Sequence, residues 1–303
     1  TNSCTPTPSG RAPLQIFSHT LSRWAVAVGA TVLSQAALAV NSLPGGPAVR
    51  QLDMHPAATK IAEQQHALHY FMLVVCVVIF VAVFGVMFYS IFKHRKSKGH
   101  RAADFHESTT VEIIWTIIPV AILVVLAVPS ARTLIAIEDA SKTQLTVKVT
   151  AYQWKWQYDY LDKGVSFFST LKRDSDAARQ MNSGVDVNKI DNYLLDVDNP
   201  LVVPVDTKVR ALITAQDVIH AWWVPAFAVK KDAIPGFVNE VWFQVDADKP
   251  GIYRGQCTEL CGRDHGFMPI VVVAKPKDEY EAWLKAKQDE QKQASLPAAP
   301  TAG

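Results

Sequence analysis

The sequence predicts a two-helix membrane hairpin followed by an exported all-β domain, a sandwich or small Greek-key barrel. Three observations carry this. Two uncharged apolar runs, Leu68–Phe92 and Ile113–Ala131, stand in the first half. Each is long enough to cross ~30 Å of hydrocarbon. The loop between them, "KHRKSKGHRAADFHESTT", gathers Lys93, Arg95, Lys96, Lys98 and Arg101 before its first acid, Asp104. After Ile137 the pattern changes to short alternating segments punctuated by Pro and Gly, the mark of many short strands.

Composition agrees with a mixed chain. Hydrophobic residues make up 49% and charged residues 19%. That is too apolar for an ordinary soluble domain and too polar for a chain lying mostly in a membrane. Residues 1–137 carry 10 Lys+Arg against 5 Asp+Glu, and the remainder 20 against 23. The exported part is therefore slightly acidic, which argues against nucleic acid as a partner.

Residues 1–39 read as a signal peptide. Arg11 and Arg23 precede "WAVAVGATVLSQAALA", which ends in Ala37-Leu38-Ala39. A basic region, a short apolar core and an A-x-A end define such a leader, with cleavage after Ala39. The competing reading is a third membrane helix. The run falls short of the ~20 residues required and contains Ser34 and Gln35.

Residues 40–137 hold the hairpin. The positive-inside rule puts the basic loop in the cytoplasm and both flanks outside. Everything after Ile137 then lies in the periplasm of a bacterial inner membrane protein. Pro119 and Pro129 fall in the second span, where proline is tolerated. Cys76 sits in the first span and reads as a buried small hydrophobe. Glu112 stands at the cytoplasmic start of the second span, where position alone makes it a helix cap or an interfacial acid.

Residues 138–276 form the β domain. "TQLTVKVTAYQWKWQYDY" alternates throughout, which places Tyr152, Trp154, Trp156, Tyr158 and Tyr160 on one face of a strand. Further apolar segments follow at short spacings, among them "KVRALITA", "NEVWFQV" and "MPIVVVA". The polar stretch 163–192 breaks the rhythm and reads as a surface loop or insertion. Residues 277–303 divide into a charged surface helix, to about Gln293, and a disordered tail, "ASLPAAPTAG".

Four cysteines are too few for a disulfide framework. Cys4 lies in the leader and Cys76 in a span. Only Cys257 and Cys261 have a polar, structured context, in "CTELCGRDHGFM". His265 and Met268 complete that stretch. His220, in "DVIHAWWVPAF", is the one other histidine after residue 137. Three chemistries compete for this set. A Cys257–Cys261 disulfide suits an exported domain but leaves His265 and Met268 idle. A Cys2His2 zinc site has the right count but no use for a thioether. Copper accepts thiolate, imidazole and thioether together, yet a single copper leaves one cysteine spare. Two thiolates bridging two metals use the whole set. Met268 is then a weak ligand to one metal, and the carbonyl of Glu259 is within local reach of the other.

With "CTELCGRDHGFM", "DVIHAWWVPAF", "AYQWKWQYDY", "VEIIWTIIP" and "KDAIPGFVN" in order, the sequence resembles subunit II of the haem–copper cytochrome c oxidases. The resemblance spans about Gln51–Pro276. It implies a cupredoxin-like domain with a dinuclear copper A centre. The implied ligands are His220, Cys257, Cys261, His265 and Met268 through side chains, and Glu259 through its carbonyl. The Glu259 side chain is implied to reach a magnesium ion shared with subunit I. Trp154 is implied as the point where electrons arrive from cytochrome c. Glu112 is implied at the mouth of a proton-uptake route into subunit I.

The implied function is to accept electrons from cytochrome c and pass them to haem in subunit I. Oxygen is reduced there to water, coupled to proton translocation. Expected partners are subunit I, other oxidase subunits, cytochrome c and the lipid bilayer. No C-x-x-C-H motif is present, so no haem is expected on this chain. Asp159, Asp162 and Asp217 are expected to form an acidic rim for a basic partner. The alternative is a membrane-anchored copper or zinc binding protein, such as a copper-delivery factor. The related quinol oxidase subunit lacks the copper ligands. Nitrous oxide reductase carries a similar domain on a longer chain without the hairpin.

Overall fold

Among the described residues, two long helices lead into ten strands. The computed structural model describes residues 43–49, 51–101, 104 and 106–295. The expected leader, 1–39, and the tail from residue 296 lie outside the described residues. Apart from Ala48 and Val49, the described residues belong to one compact unit.

Helices α1 (Lys60–Lys93) and α2 (Thr109–Glu138) contain both expected spans. At 1.5 Å per residue they are about 51 and 45 Å long, more than the ~30 Å of hydrocarbon. Their most apolar stretches have mean hydropathy 3.1 and 2.7, with none of those residues buried. Helices apolar on all sides belong in lipid or against other membrane chains. Cys76 corrects one expectation. It is exposed, because α1 packs along only part of its surface and this position faces outward rather than into a core.

The strands are β1 (Leu145–Tyr152), β2 (Lys155–Tyr160), β3 (Val165–Ser169), β4 (Leu201–Pro204) and β5 (Val209–Ala215). They continue with β6 (His220–Val224), β7 (Val229–Ala233), β8 (Asn239–Phe243), β9 (Gly251–Cys257) and β10 (Pro269–Lys275). Two five-stranded sheets result, in the orders β3-β2-β1-β5-β8 and β4-β10-β9-β6-β7. The β1–β5 and β10–β4 pairs are parallel. Val147, Val149, Tyr158, Ile213, Trp222, Phe243, Ile270 and Val272 are buried in the common core.

The aromatic run departs from the sequence reading. It is a hairpin, not one strand: Tyr152 pairs with Lys155 across a turn at Gln153–Trp154. Trp156, Tyr158 and Tyr160 point into the core and are buried. Tyr152 stays half-buried and Trp154 sits in the turn. The two-residue reversal keeps the aromatic period running, so alternation alone hides it. The stretch 163–192 is also more ordered than a loop. It contains β3, which pairs with β2 from Val165 opposite Tyr160, and a short helix α3 (Arg173–Ala178). Helix α4 (Lys277–Ser295) forms as expected, and Tyr280, Trp283 and Leu284 dock it on the β domain.

Backbone bonds join hairpin to domain. Thr59 caps α1, its hydroxyl accepting from the Ala62 amide and donating to the Phe227 carbonyl, both at 3.1 Å. The Ala58 amide donates to the Ala226 carbonyl at 2.8 Å. Near the end of α2, the Trp242 indole donates to the Ala136 carbonyl at 3.1 Å.

The buried Tyr160 hydroxyl donates to the Val202 carbonyl at 2.7 Å and accepts from the Val202 amide at 3.0 Å. Tyr160→Phe strands both backbone groups and should cost about 1–3 kcal/mol. Denaturant unfolding of the detergent-solubilised chain, followed by tryptophan fluorescence, should show the lower midpoint. An unchanged midpoint would mean that water replaces the hydroxyl.

Candidate metal centre

Three neighbouring strands of the second sheet bring the expected ligands together. His220 opens β6 and Cys257 closes β9, and the two strands pair with Trp222 opposite Cys257. The chain then loops through Glu259, Cys261 and His265 to Met268. It returns as β10, with Pro269 opposite Gln256.

Cys257 and Cys261 are buried free thiols, and their sulfurs stand 3.8 Å apart. A disulfide needs ~2.05 Å. His220 Nδ1 lies 3.9 Å from Cys257 Sγ. His265 Nδ1 lies 3.5 Å from Cys261 Sγ, and Met268 Sδ lies 3.6 Å from the same sulfur. The Glu259 carbonyl oxygen is 3.4 Å from Cys257 Sγ. Donor atoms of His220, Cys257 and Cys261 all fall within 4.8 Å of one another. A thiolate–metal bond is ~2.3 Å, so sulfurs this close can share one ion. Two thiols, a thioether, two imidazoles and a carbonyl form a soft donor set, fitted to copper.

Asp217 orients the first imidazole. Its Oδ1 lies 2.9 Å from His220 Nε2, and its Oδ2 accepts the Gln153 amide at 2.7 Å. A proton on Nε2 directed at the carboxylate leaves Nδ1 free toward the sulfurs. Burial works against ionisation of Asp217, but the bonds from His220, Gln153 and Val218 hold its carboxyl below the usual range. Burial also resists charge on His220, and the bonds to Cys257 and Asp217 overcome it, raising that imidazole. The thiols separate in acidity. Burial opposes ionisation of Cys257, yet its bond with His220 and the neighbouring backbone bring it down to about 7. Burial and the charge of Cys257 push Cys261 up to about 12.

The β1–β2 turn grips the same loop from the other sheet. Gln153 Nε2 and Trp154 Nε1 both donate to the Cys261 carbonyl, at 2.9 and 3.1 Å. Gly262 has φ +114°, and a Cβ there would stand 3.1 Å from Gln153 and 3.2 Å from Trp154. The Trp156 indole donates to the Met268 carbonyl at 3.1 Å.

All six expected metal residues therefore gather, with the Glu259 side chain exposed beside them. Trp154 touches the loop. Glu112 does not: it lies in the first turn of α2, about 39 Å along the helix from Glu138. The three acids have different surroundings. Asp217, itself exposed, bonds His220 and Gln153. Asp159 accepts from Gln157 and Ser166 on the outer side of β2. At ~3.3 Å per residue it stands roughly 13 Å from Lys155, and Asp162 lies further on, in the turn beyond β2. Gln153 and the positioning role of Asp217 escaped the sequence reading. The Asp-x-x-His spacing of "DVIH" was the available signal.

The family model described as cytochrome c oxidase subunit II, periplasmic domain, matches residues 145–275. The one described as the subunit II transmembrane domain matches residues 47–133. The chain belongs to the cytochrome c oxidase subunit II family. A probable cytochrome c oxidase subunit 2 of Rickettsia bellii is 38% identical over 260 residues, covering 86% of this chain and 91% of that one. Cytochrome c oxidase subunit 2 of Cereibacter sphaeroides is 36% identical over 269 residues, covering 86% and 88%. The crystal structure of the periplasmic domain of subunit II (CoxB) of Bradyrhizobium japonicum shares 41% identity. It covers 50% of this chain and 98% of its own, with TM-score 0.42. This subunit II is a membrane protein with a periplasmic β domain. It is part of a haem–copper oxidoreductase complex, and its family implies copper.

The paired thiols give a pH test. In the metal-free, reduced chain with Cys4 and Cys76 replaced by Ser, thiolate ultraviolet absorbance should rise in two steps as pH increases. The first should be centred near pH 7 and the second near 12, both belonging to the pair. One step at the ordinary thiol value would show that the two sulfurs do not interact.

Proposed function

We propose that this chain receives electrons from cytochrome c at a dinuclear copper A centre and passes them to haem in subunit I. Oxygen is reduced there to water, with coupled proton translocation. The observation that carries the reading is the pair of buried, unbonded sulfurs at 3.8 Å with an imidazole nitrogen beside each. A single zinc or copper does not need both thiols, both histidines and a thioether. Cys257 and Cys261 would bridge, His220 and His265 would each take one copper, and Met268 and the Glu259 carbonyl would be the weak donors. The bound copper pair supplies one-electron redox chemistry.

The residues around the cluster have supporting tasks. Asp217 holds the His220 imidazole with Nδ1 turned to the thiols. Burial of Cys257, Cys261 and Met268 keeps water from the sulfurs. Trp154 is proposed as the group that takes the electron from the donor haem, and its indole bond to the Cys261 carbonyl supports that role. Glu112 is proposed at the start of a proton route into subunit I. The exposed Glu259 carboxylate is proposed to meet magnesium at the subunit I boundary. The positive-inside loop supports placement in a bacterial inner membrane with the β domain in the periplasm.

Purified with its native metal, the full chain should hold two coppers and show intense thiolate-to-copper absorption. Cys257→Ser and Cys261→Ser should each abolish the mixed-valence spectrum. A content of one zinc per chain would refute the reading.

In the assembled oxidase, Trp154→Gln should cut the rate of electron transfer from cytochrome c while copper and haem content stay normal. Stopped-flow reduction by cytochrome c at several salt concentrations separates the outcomes. A loss of affinity alone would make Trp154 a docking contact and move the electron route elsewhere.

A further inference from the structure

The stretch 163–192 has no task in the electron-transfer reading. Its geometry points to one. After α3, Arg179 reaches out of the insertion to the loop that carries His265 and Met268. Its Nη1 lies 3.3 Å from Asp264 Oδ1, and its guanidinium lies over the Phe267 ring at 4.4 Å. Its Nε is fixed by Asp176 at 2.7 Å. The side chains of Arg179 and Asp264 are only 20% and 13% exposed, so solvent screens this pair less than an ordinary surface pair. Asp264 directly precedes His265, and Phe267 directly precedes Met268.

The insertion is itself anchored. Leu171 bridges Val197, and the Lys172 amide donates to the Asp196 carbonyl at 3.0 Å. The buried Arg254 of β9, the strand that ends in Cys257, donates to the Leu195 carbonyl and pairs with Asp196 at 3.3 Å. One flank of the cysteine loop is thus tied to the insertion and the other to Leu195 and Asp196, the stretch that pairs with the insertion at Leu171 and Lys172. A planar guanidinium suits this position, since it pairs with a carboxylate and stacks on a ring at once.

We propose that the insertion is a clamp on the metal loop, and that Arg179 is a positioning residue for His265 and Met268 through Asp264 and Phe267. The clamp fixes the loop before metal arrives. Its consequence for copper rests on the proposed function above. Its consequence for the loop backbone does not.

Two readouts on the full chain in detergent separate these. In the metal-free chain, amide hydrogen exchange reports the loop bonds from the His265 amide to Gly262, at 3.2 Å, and from the Phe267 amide to Asp264, at 2.9 Å. In the loaded chain, the rate of copper removal by a chelator and the electron-spin spectrum report the centre. Arg179→Ala should speed exchange at both amides, speed copper loss about tenfold or more, as for other groups that support a metal ligand, and alter the spectrum. Arg179→Lys keeps the charge and loses the stacking, so it should recover part of each effect. Arg173→Ala, at an exposed site on the same insertion, should change nothing. Wild-type exchange and copper loss in Arg179→Ala would overturn the clamp. If Arg179→Ala unfolds the domain, Arg179→Lys and Phe267→Leu carry the same test, and wild-type values in both would overturn it. Zinc in the wild-type chain would defeat the copper reading while the exchange result still decides the clamp.

Discussion

Everything at the site depends on holding two buried thiols 3.8 Å apart without letting them bond. An oxidising compartment favours the disulfide, so the spacing has to be imposed by the backbone. Cys257 is fixed at the end of β9 by its pairing opposite Trp222. Cys261 is fixed by its own carbonyl, which takes bonds from Gln153 and Trp154. One sulfur therefore answers to the second sheet and the other to a turn of the first. Gly262 is what lets that turn come so close. A side chain there would be strained at φ +114° and would press on Gln153 and Trp154, the two donors that hold the Cys261 carbonyl.

This division explains what was legible in the sequence. The spans were, because a membrane leaves no alternative to long apolar runs. Most strands were, because apolar residues recur along them at short spacing, though β7, with two lysines and an aspartate in five residues, was not. The meeting of Cys257, Cys261, His265 and Met268 was, because they lie within twelve residues of one loop. The turn at Gln153–Trp154 was not, since alternation continues through it and no glycine or proline marks it. Strand β3 was overlooked because "VSFFS" is short and is followed by polar residues. Nor was the clamp legible. Arg179 and Asp264 lie 85 positions apart in sequence, and only the paired ends of the insertion bring them together.

The acids show how composition misleads where geometry decides. Asp217 lies beside the cluster and is bonded to His220, although it is exposed. Asp264 lies beside it too, and is paired with Arg179 and Arg263. Both carboxylates are bonded to neighbouring side chains rather than standing free. The residue over the Trp154 ring is a cation, Arg263, at 5.2 Å. An acidic balance across the β domain therefore does not mean an acidic surface beside Trp154.

The hairpin and the β domain meet through the same kind of contact that fixes the thiols. Thr59 caps α1 with one side of its hydroxyl and binds the domain with the other. Trp242 and Lys208 bind carbonyls at Ala136, Asp139 and Ser141, where α2 ends. These bonds end on backbone oxygens, whose positions vary less than those of long charged side chains. Most involve no ion pair, so salt screens them little. The β domain is thus held at both ends of the hairpin, by Thr59 at the start of α1 and by Trp242 and Lys208 at the end of α2.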